Sequence, residues 1–534
     1  MPINEGVNID LQFLILEVKK QAQASLSMAK KPTAKKVARI IAREDYIDNL
    51  KNTLVNKSYF HIHRQVDELR QINYFKTLIT ISYNLERCAD FFEAISSQLL
   101  CIKDIENLND FKICPAYNII FRVLDLIYPS LSNNDLDMAQ KICDYEKELD
   151  DFYDAAFLLI RDNLHQRHQV DDMLTILNIV RYLERTGDSF LNIGEAIFNI
   201  NVGEKMAITK FRDLRKGLES QAIDIRENHV EFLSIMNTRS GSRVAKIKSD
   251  GNVPKSVFYK EGAKDKIDEE VAGLALWKKK FPGMTPEILW YKTRKKNATL
   301  LLEFIEGEDL LNLLINQRDK ADRALTILTE QLTLLWNNSK KKKTTKSTYI
   351  SQLMKRKLDV QFVHGNLFTL DEDIDKLMLE AKRIEKNLKT PFSTLVHGDF
   401  NVDNIIFQSD TDNMFLVDVH RSGYGDYAQD ISVFLISNFR IPIFSTDVRS
   451  RLNEANRRVF ECALSFAKNN EDKTFEARLA LGLFRSLITS TRFLLDQSFS
   501  EAMFQRAVLI LREILAEKDQ LDKFSLNPNY FTYQ

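Results

Sequence analysis

The sequence predicts a multidomain protein, all-helical at first and mixed α+β after about residue 230. Three observations carry that reading. Only 16 Gly and 10 Pro occur in 534 residues, against a usual ~7% and ~5%, so little interrupts long helices. Apolar residues recur at three- and four-residue spacing through the first part. Beyond it the pattern changes to short β-branched or aromatic runs between Gly-containing turns.

Lys plus Arg and Asp plus Glu number 75 each. That balance excludes a nucleic-acid binder built on a general positive field. Five cysteines, odd in number and without a CxxC, form neither a disulfide framework nor a zinc site, which suits a reducing compartment. No basic segment precedes a long apolar core at the N-terminus, and no apolar run is long enough to span a bilayer. The expectation is a soluble, cytoplasmic protein, peripheral to a membrane at most.

Taken in order, helices are expected over 11–26, 37–54, 75–99, 117–128, 138–160 and 173–197. Breaks are expected at Lys31-Pro32, around Cys114-Pro115, at Pro129 and at 130–135, where Ser132-Asn133-Asn134-Asp135 offers N-caps. Strands follow at 232–236, 243–248 and 256–260, separated by Ser240-Gly241-Ser242 and Asp250-Gly251-Asn252. A helix over 266–280 and strands at 287–291 and 299–305 come next. Helices dominate beyond Asp309, interrupted by a strand pair at 404–407 and 415–419. The Lys-rich stretch 339–347 reads as a solvated loop, since nothing aromatic is interleaved with it.

The first part contains a repeat. Leu85-Glu86-Arg87-Cys88-Ala89-Asp90 recurs as Leu183-Glu184-Arg185-Thr186-Gly187-Asp188. An acidic helix precedes each copy, carrying Asp48 before the first and Asp150 before the second. Two similar three-helix units explain the matched order. Within each copy the two acids lie at i and i+4, on one helix face. Such a pair is usually a solvated stripe, here neutralised by Arg87 and Arg185. Packed beside helices carrying Asp48 or Asp150, it is instead a candidate carboxylate metal site.

The second part carries the sharper chemistry in Leu395-Val396-His397-Gly398-Asp399-Phe400-Asn401-Val402-Asp403-Asn404-Ile405-Ile406-Phe407. Fourteen residues past Asn404, Leu416-Val417-Asp418 places another acid after an apolar strand. Phosphoryl transfer from a magnesium nucleotide needs such a set. One carboxylate, Asp399, orients the attacking hydroxyl and accepts its proton. A neutral oxygen ligand, Asn404, and a second carboxylate, Asp418, suit the hard, oxygen-seeking cation. Taken singly, each of these residues could equally cap a turn, and His397 could simply hold a loop. Their order and spacing together point to a kinase-like site. Phe362-Val363-His364-Gly365-Asn366 mimics the loop but lacks the base, and position 371 is Asp rather than Asn.

This block, with Gly425-Asp426-Tyr427-Ala428-Gln429-Asp430 after it, resembles the aminoglycoside phosphotransferase and choline kinase group. The resemblance spans about 230–520 and implies a two-lobed, protein-kinase-like fold with nucleotide in the cleft. It implies a small-molecule kinase transferring phosphate from ATP or GTP, with Mg, to an alcohol. Asp399 would be its catalytic base, Asn404 and Asp418 its Mg ligands. His397, Asp426 and Asp430 would be structural. Lys260, ending the strand Val257-Phe258-Tyr259-Lys260, resembles the phosphate-binding lysine. Glu270 resembles that lysine's partner, with Glu269 as competitor. Glu303 and Ile305 in Leu301-Leu302-Glu303-Phe304-Ile305-Glu306-Gly307 resemble the nucleobase hinge. The phosphate loop departs from the pattern, with Gly241 alone in place of GxGxxG. The acceptor pocket is expected around 424–427 and a helix holding Arg485 and Arg492, which could meet an anionic acceptor or pair within the helix.

The repeated Leu-Glu-Arg motif resembles the PhoU family over about 8–200, more closely in the second copy, where Asn192-Ile193-Gly194-Glu195 follows. That resemblance implies a six-helix bundle of two three-helix repeats, with Glu86, Asp90, Glu184 and Asp188 as candidate ligands of a transition metal. The domain expectation is therefore a PhoU-like domain at 8–200, a helical linker at 201–230, a kinase N-lobe at 231–308 and a C-lobe at 309–534. The helical domain would regulate the kinase in response to phosphate or metal. The alternative is a non-catalytic adaptor that binds nucleotide and contacts a phosphate transporter or sensor protein. Bundles of this type often self-associate, so a homodimer is a candidate assembly.

Overall fold

The structure is a computed structural model describing residues 5–64, 69–166, 169–202, 208–223, 230–237, 243–249 and 255–533. The chain divides into two compact units, Met1–Lys260 and Glu261–Gln534. Among the described residues no helix is long and apolar enough to cross a membrane.

The first unit opens with α1 (Glu5–Lys30), α2 (Ala34–Arg64), α3 (Leu69–Leu99), α4 (Ile113–Ser132), α5 (Leu136–His165) and α6 (Val170–Val202). Each expected helix lies within one of these. In each repeat the three helices pack on one another, and α3 lies along α6 to join the repeats. The two Leu-Glu-Arg motifs therefore sit on the two central helices. Their apolar faces supply the core, with Leu85, Cys88 and Ala89 of one copy and Leu183 of the other fully buried. Asp135 caps α5, its side chain accepting from the N–H groups of Asp137 and Met138. The break expected around Cys114-Pro115 falls just before it, at Lys112, and the one expected at Pro129 is absent. Helix α4 starts at Ile113, so Pro115 falls in the first turn, where a missing N–H costs nothing. It also runs through Pro129, which sits in the last turn, where few residues follow to be disrupted. A short helix, α7 (Ile208–Ser220), docks on the bundle, with Phe211 against Phe198 at 4.4 Å and Arg215 paired to Asp137 at 2.8 Å.

Strands β1 (Val230–Asn237) and β2 (Arg243–Ser249) pair antiparallel, and β3 (Lys255–Ala263) follows. The expected turns around Gly241 and Gly251, with the candidate phosphate loop, lie outside the described residues.

The second unit continues with α8 (Lys264–Lys280), β4 (Ile288–Thr293) and β5 (Asn297–Glu303), the last two antiparallel. After β6 (Glu308–Asp309) come α9 (Leu310–Asn316), α10 (Arg318–Ser339), α11 (Tyr349–Val363) and α12 (Ile374–Asn387). Then β7 (Thr394–Val396), β8 (Ile405–Gln408), β9 (Asn413–Leu416) and β10 (Gly423–Gly425) build two small sheets, β10-β7 and β6-β8-β9. Helices α13 (Ala428–Phe439), α14 (Thr446–Asn469), α15 (Phe475–Ser490) and α16 (Gln497–Ala516) complete it. Strand β9 stops at Leu416, short of the expected 419, because Asp418 turns to a positive φ of 61°. The Lys-rich stretch is exposed but tethered: Lys341 bridges to Ser393 and Lys346 to Lys389. Lys340 lies over the ring of Phe392 and Lys341 over that of Tyr424. Its aromatic partners come from distant sequence, which local composition does not reveal.

Candidate active site

The site is built on β7, the 397–404 loop and the 417–422 turn. Strand β7 pairs with β10 in the register Val396↔Gly423, so the chain leaving β7 at His397 is fixed from both sides. His397 is buried, and its Nε2 lies 2.9 Å from the carbonyl of Val417 while its Nδ1 accepts the Asp399 N–H at 3.3 Å. These two bonds require the neutral ring protonated at Nε2. Burial holds the His397 pKa below its usual value, although the bond to Val417 works the other way. Gly398 has φ +84°, and a Cβ there would come within 2.3 Å of the Arg421 carbonyl. Only glycine fits.

Asp430, at the start of α13, accepts the N–H of His397 at 2.7 Å and that of Gly398 at 2.8 Å. Burial pushes its pKa up to about 7, against the pull of those two N–H groups. The Asp399 carboxylate protrudes beyond this brace. Its Oδ1 accepts Asn401 Nδ2 at 2.9 Å, and Arg421 Nη1 stands 3.6 Å from its Oδ2. Asn404 donates its Nδ2 to the Asp399 carbonyl at 2.9 Å, which aims its Oδ1 the other way. The Asn404 carbonyl accepts the Val417 N–H at 3.0 Å, tying this loop to the turn that carries Asp418. Asp418 Oδ1 meets His420 Nδ1 at 3.2 Å. That bond, opposed by burial, holds His420 above its usual pKa.

Helix α8 presses on the same turn. A Cβ on Gly273 would meet the Val419 carbonyl at 2.2 Å. Trp277 Nε1 donates to Ser422 Oγ at 2.8 Å, and Ser422 in turn donates to the His397 carbonyl at 3.1 Å. On α8 the structure buries Glu270 and leaves Glu269 exposed. Lys260 is buried on β3. Glu303 ends β5, its N–H on the Glu287 carbonyl at 2.9 Å, and Ile305 follows in the connection to β6.

Asp426 lies apart from the loop. It is buried against Arg478, whose Nε donates to it at 2.8 Å, and Arg478 also grips Asp472 through Nη2 at 2.7 Å. Tyr427 is wholly buried with its hydroxyl on Asp472 at 2.8 Å. It therefore cannot line an acceptor pocket as expected. Arg485 and Arg492 are also not on one helix: Arg485 is on α15, and Arg492 follows on a separate short turn. The look-alike His364 binds the carbonyls of Thr491 and Leu494 at 3.1 and 2.8 Å and does purely structural work. The sequence reading passed over Asn401 and Arg421, although both stand inside or beside the quoted motif. It also missed Arg478 and Asp472, which carry no local signal.

In the helical unit the candidate metal ligands are brought near one another without forming a metal-holding group. Among the described residues no cluster of three or more His, Cys, Asp or Glu is so arranged. In the first repeat the amine of Lys51 lies between two of the acids, reaching Asp48 at 2.5 Å and Glu86 at 3.4 Å. Asp90 is raised to about 7 by burial and by Glu86, Glu44 and Glu93. In the second repeat Arg181 stands 3.5 Å from Glu184, and Glu146 is raised to about 7 by burial and by Asp150.

Residues 237–462 match the phosphotransferase enzyme family, and residues 14–99 and 116–197 match the PhoU domain. A phosphate-specific transport system accessory protein PhoU homolog from Thermotoga maritima is 24% identical over 213 residues, covering 39% of this chain and 88% of that one. The crystal structure of PhoU from Pseudomonas aeruginosa shares 16% identity over 38% of this chain and 99% of that chain, with a TM-score of 0.34. Choline kinase from Cryptosporidium parvum shares 13% identity over 59% of this chain and 99% of its own, with a TM-score of 0.39. The chain carries a PhoU domain in its N-terminal half and a phosphotransferase-family domain in its C-terminal half.

Proposed function

We propose that the protein is a magnesium-nucleotide-dependent phosphotransferase acting on a hydroxyl of a small molecule, regulated by its PhoU half. The observation that carries this reading is the loop from His397 to Asn404. There Asn401 donates to the Asp399 carboxylate, Asp430 holds the N–H groups of His397 and Gly398 just before it, and Asn404 is anchored through its amide nitrogen. In the reaction the terminal phosphoryl leaves the nucleotide, whose bridging P–O bond breaks as a bond to the acceptor oxygen forms. The hydroxyl proton passes to Asp399, which contributes typically 10²–10⁴-fold. The oxygens of Asn404 and Asp418 are the hard donors magnesium prefers. They would hold that ion, which when bound draws off charge from the phosphates. Lys260 and Glu270 would serve the phosphates, and the main chain at Glu303 and Ile305 the nucleobase.

Thermal unfolding of the full chain with ATP or GTP, with and without magnesium, tests the nucleotide site. A magnesium-dependent rise that vanishes in Asp418→Asn is expected; no rise with either nucleotide rejects the reading. Turnover should then fall by about 10²-fold or more in Asp399→Asn. Replacing Glu184 by Gln and Asp188 by Asn together is expected to alter the turnover rate severalfold. An unaltered rate removes the regulatory part.

A further inference from the structure

Helix α13 holds the loop from His397 to Asn404 at both ends. At the helix start Asp430 takes the N–H groups of His397 and Gly398, and Gln429 Nε2 donates to the Gly398 carbonyl at 3.3 Å. At its far end Ser437 Oγ accepts the Val402 N–H at 3.2 Å. Arg440, the residue after the helix, points Nη2 to Asn401 Oδ1 at 3.4 Å. Between these anchors the backbone is extended at Asn401, with φ −75° and ψ 154°. Phe400 and Val402 are buried while Asp399 and Asn401 are partly exposed. The two polar side chains therefore leave the same side of the chain.

The backbone is thus fixed, but a carboxylate on a fixed backbone still turns about its last bond. Among the described residues two side chains meet the carboxylate of Asp399. Arg421 is half exposed and stands 3.6 Å from Oδ2, too far for a hydrogen bond. Asn401 Nδ2 lies 2.9 Å from Oδ1, so the hydrogen bond that sets the rotation comes from Asn401. The direction of that amide follows from its neighbours. A guanidinium only donates and an ionised carboxylate only accepts. The amide oxygen must therefore face Arg440 and its nitrogen must face Asp399; reversed, donor would oppose donor and acceptor would oppose acceptor. With Oδ1 engaged, Oδ2 is the oxygen left to take a proton.

We propose that Asn401 is a positioning residue for phosphoryl transfer: oriented by Arg440, it fixes the Asp399 carboxylate so that Oδ2 meets the acceptor hydroxyl. This rests on the phosphotransferase reading and names the residues that aim its base. In that step the acceptor O–H bond breaks and its proton goes to Oδ2. The pair freed on the acceptor oxygen forms the new O–P bond, and the pair of the old P–O bond leaves with the nucleoside diphosphate.

The test is steady-state consumption of magnesium ATP by the full chain, with water, choline, ethanolamine and glucose as acceptors. Asn401→Ala is expected to lower kcat by about 10–100-fold and leave KM for ATP unchanged, since misaiming a base spares nucleotide binding. Asn401→Asp keeps the shape and an oxygen for Arg440 but removes the donor, and should lose as much. Asn401→Ser keeps a donor and should recover part of the rate; it also serves if Asn401→Ala does not fold. Arg440→Met should lower kcat less than Asn401→Ala does. Added to Asn401→Ala it should lower kcat no further, because coupled residues are not additive. An unchanged kcat, a fall accompanied by an equal rise in KM for ATP, no recovery with Ser, or additive losses overturns the proposal. Failure of the phosphotransferase reading shows before any variant is made, as a wild-type chain that consumes no ATP with any of these acceptors.

Discussion

On the bundle helices the acids of and beside the repeated motif face other acids, whereas around β7 the acids face donors. Asp90 answers to Glu86, Glu44 and Glu93, and Glu146 to Asp150, so burial and repulsion act together to raise them. Asp430 is buried far more deeply than any of them, yet two main-chain N–H groups close on its two oxygens. Asp426 has a guanidinium as well as the Ala428 N–H. The difference lies in what holds the acid. Acids on a helix face can be neutralised only by side chains from neighbours, because the helix has consumed its own N–H groups. Acids at loops and helix starts meet unused N–H groups and become fixed parts of a scaffold.

The sharpest way to break that contrast is at Arg478, which is fully buried between Asp426 and Asp472. Arg478→Met should cost about 3–5 kcal/mol, because it leaves two carboxylates buried without their cation. Urea unfolding of the full chain reads this as a lowered midpoint for the second unit. A loss below about 1 kcal/mol would show that the N–H groups suffice and the ion pairs are incidental.

Arg478 also shows where the sequence stops being informative. The helices of the first unit were legible because their apolar periodicity is local and dense, from Leu11 through Ile197. The candidate loop was legible because His397, Asp399, Asn404 and Asp418 are spaced by short connections in one stretch of sequence. Arg478 reaches Asp426 across 52 residues, and Trp277 reaches Ser422 across 145. No local pattern encodes such pairs. Strands β7 and β10, three residues each, were likewise invisible, since three residues carry too little alternation to register. The separation of Arg492 from α15 was missed because nothing in Ser490-Thr491-Arg492 interrupts an amphipathic pattern.

The second prediction sets the real loop against its mimic. Gly398→Ala forces a Cβ onto the Arg421 carbonyl at an already positive φ, so about 1–3 kcal/mol of strain is expected. Because that strain falls between Asp399 and Arg421, turnover should drop more than tenfold. Gly365→Ala in the look-alike segment has nothing nearer than the Gln361 carbonyl at 3.9 Å. It should leave both turnover and midpoint nearly unchanged. Equal effects of the two substitutions would erase the distinction between the loops.

A smaller, pH-dependent effect belongs to Asp430. Its folded pKa near 7 lies above the unfolded value of 3.8, so between those two pH values the folded chain binds more protons. Stability must therefore fall as pH rises through that window. Asp430→Asn should flatten this slope, while losing one acceptor for the His397 and Gly398 N–H groups. Denaturant midpoints from pH 4 to 7.5 would show it. An unchanged slope would mean that the acid is ionised throughout and the N–H groups outweigh its burial.

The smallest effect is expected in the bundle, at Lys51. Burial works against its charge, but the hydrogen bond to Asp48 and the charge of Glu86 outweigh it and hold its pKa above the usual value. Lys51→Met keeps the aliphatic stem packed and removes only the amine, leaving Asp48 and Glu86 to repel each other. The expected loss is about 0.5–1 kcal/mol at low salt. Added NaCl should recover part of it, since partly exposed charges are screened within roughly 8–10 Å. The equivalent change in the second unit, at Arg478 of α15, should not respond to salt, because the pair it breaks is shielded from ions by burial. If both losses were equally salt-sensitive, the acids of the two units would be held in the same way.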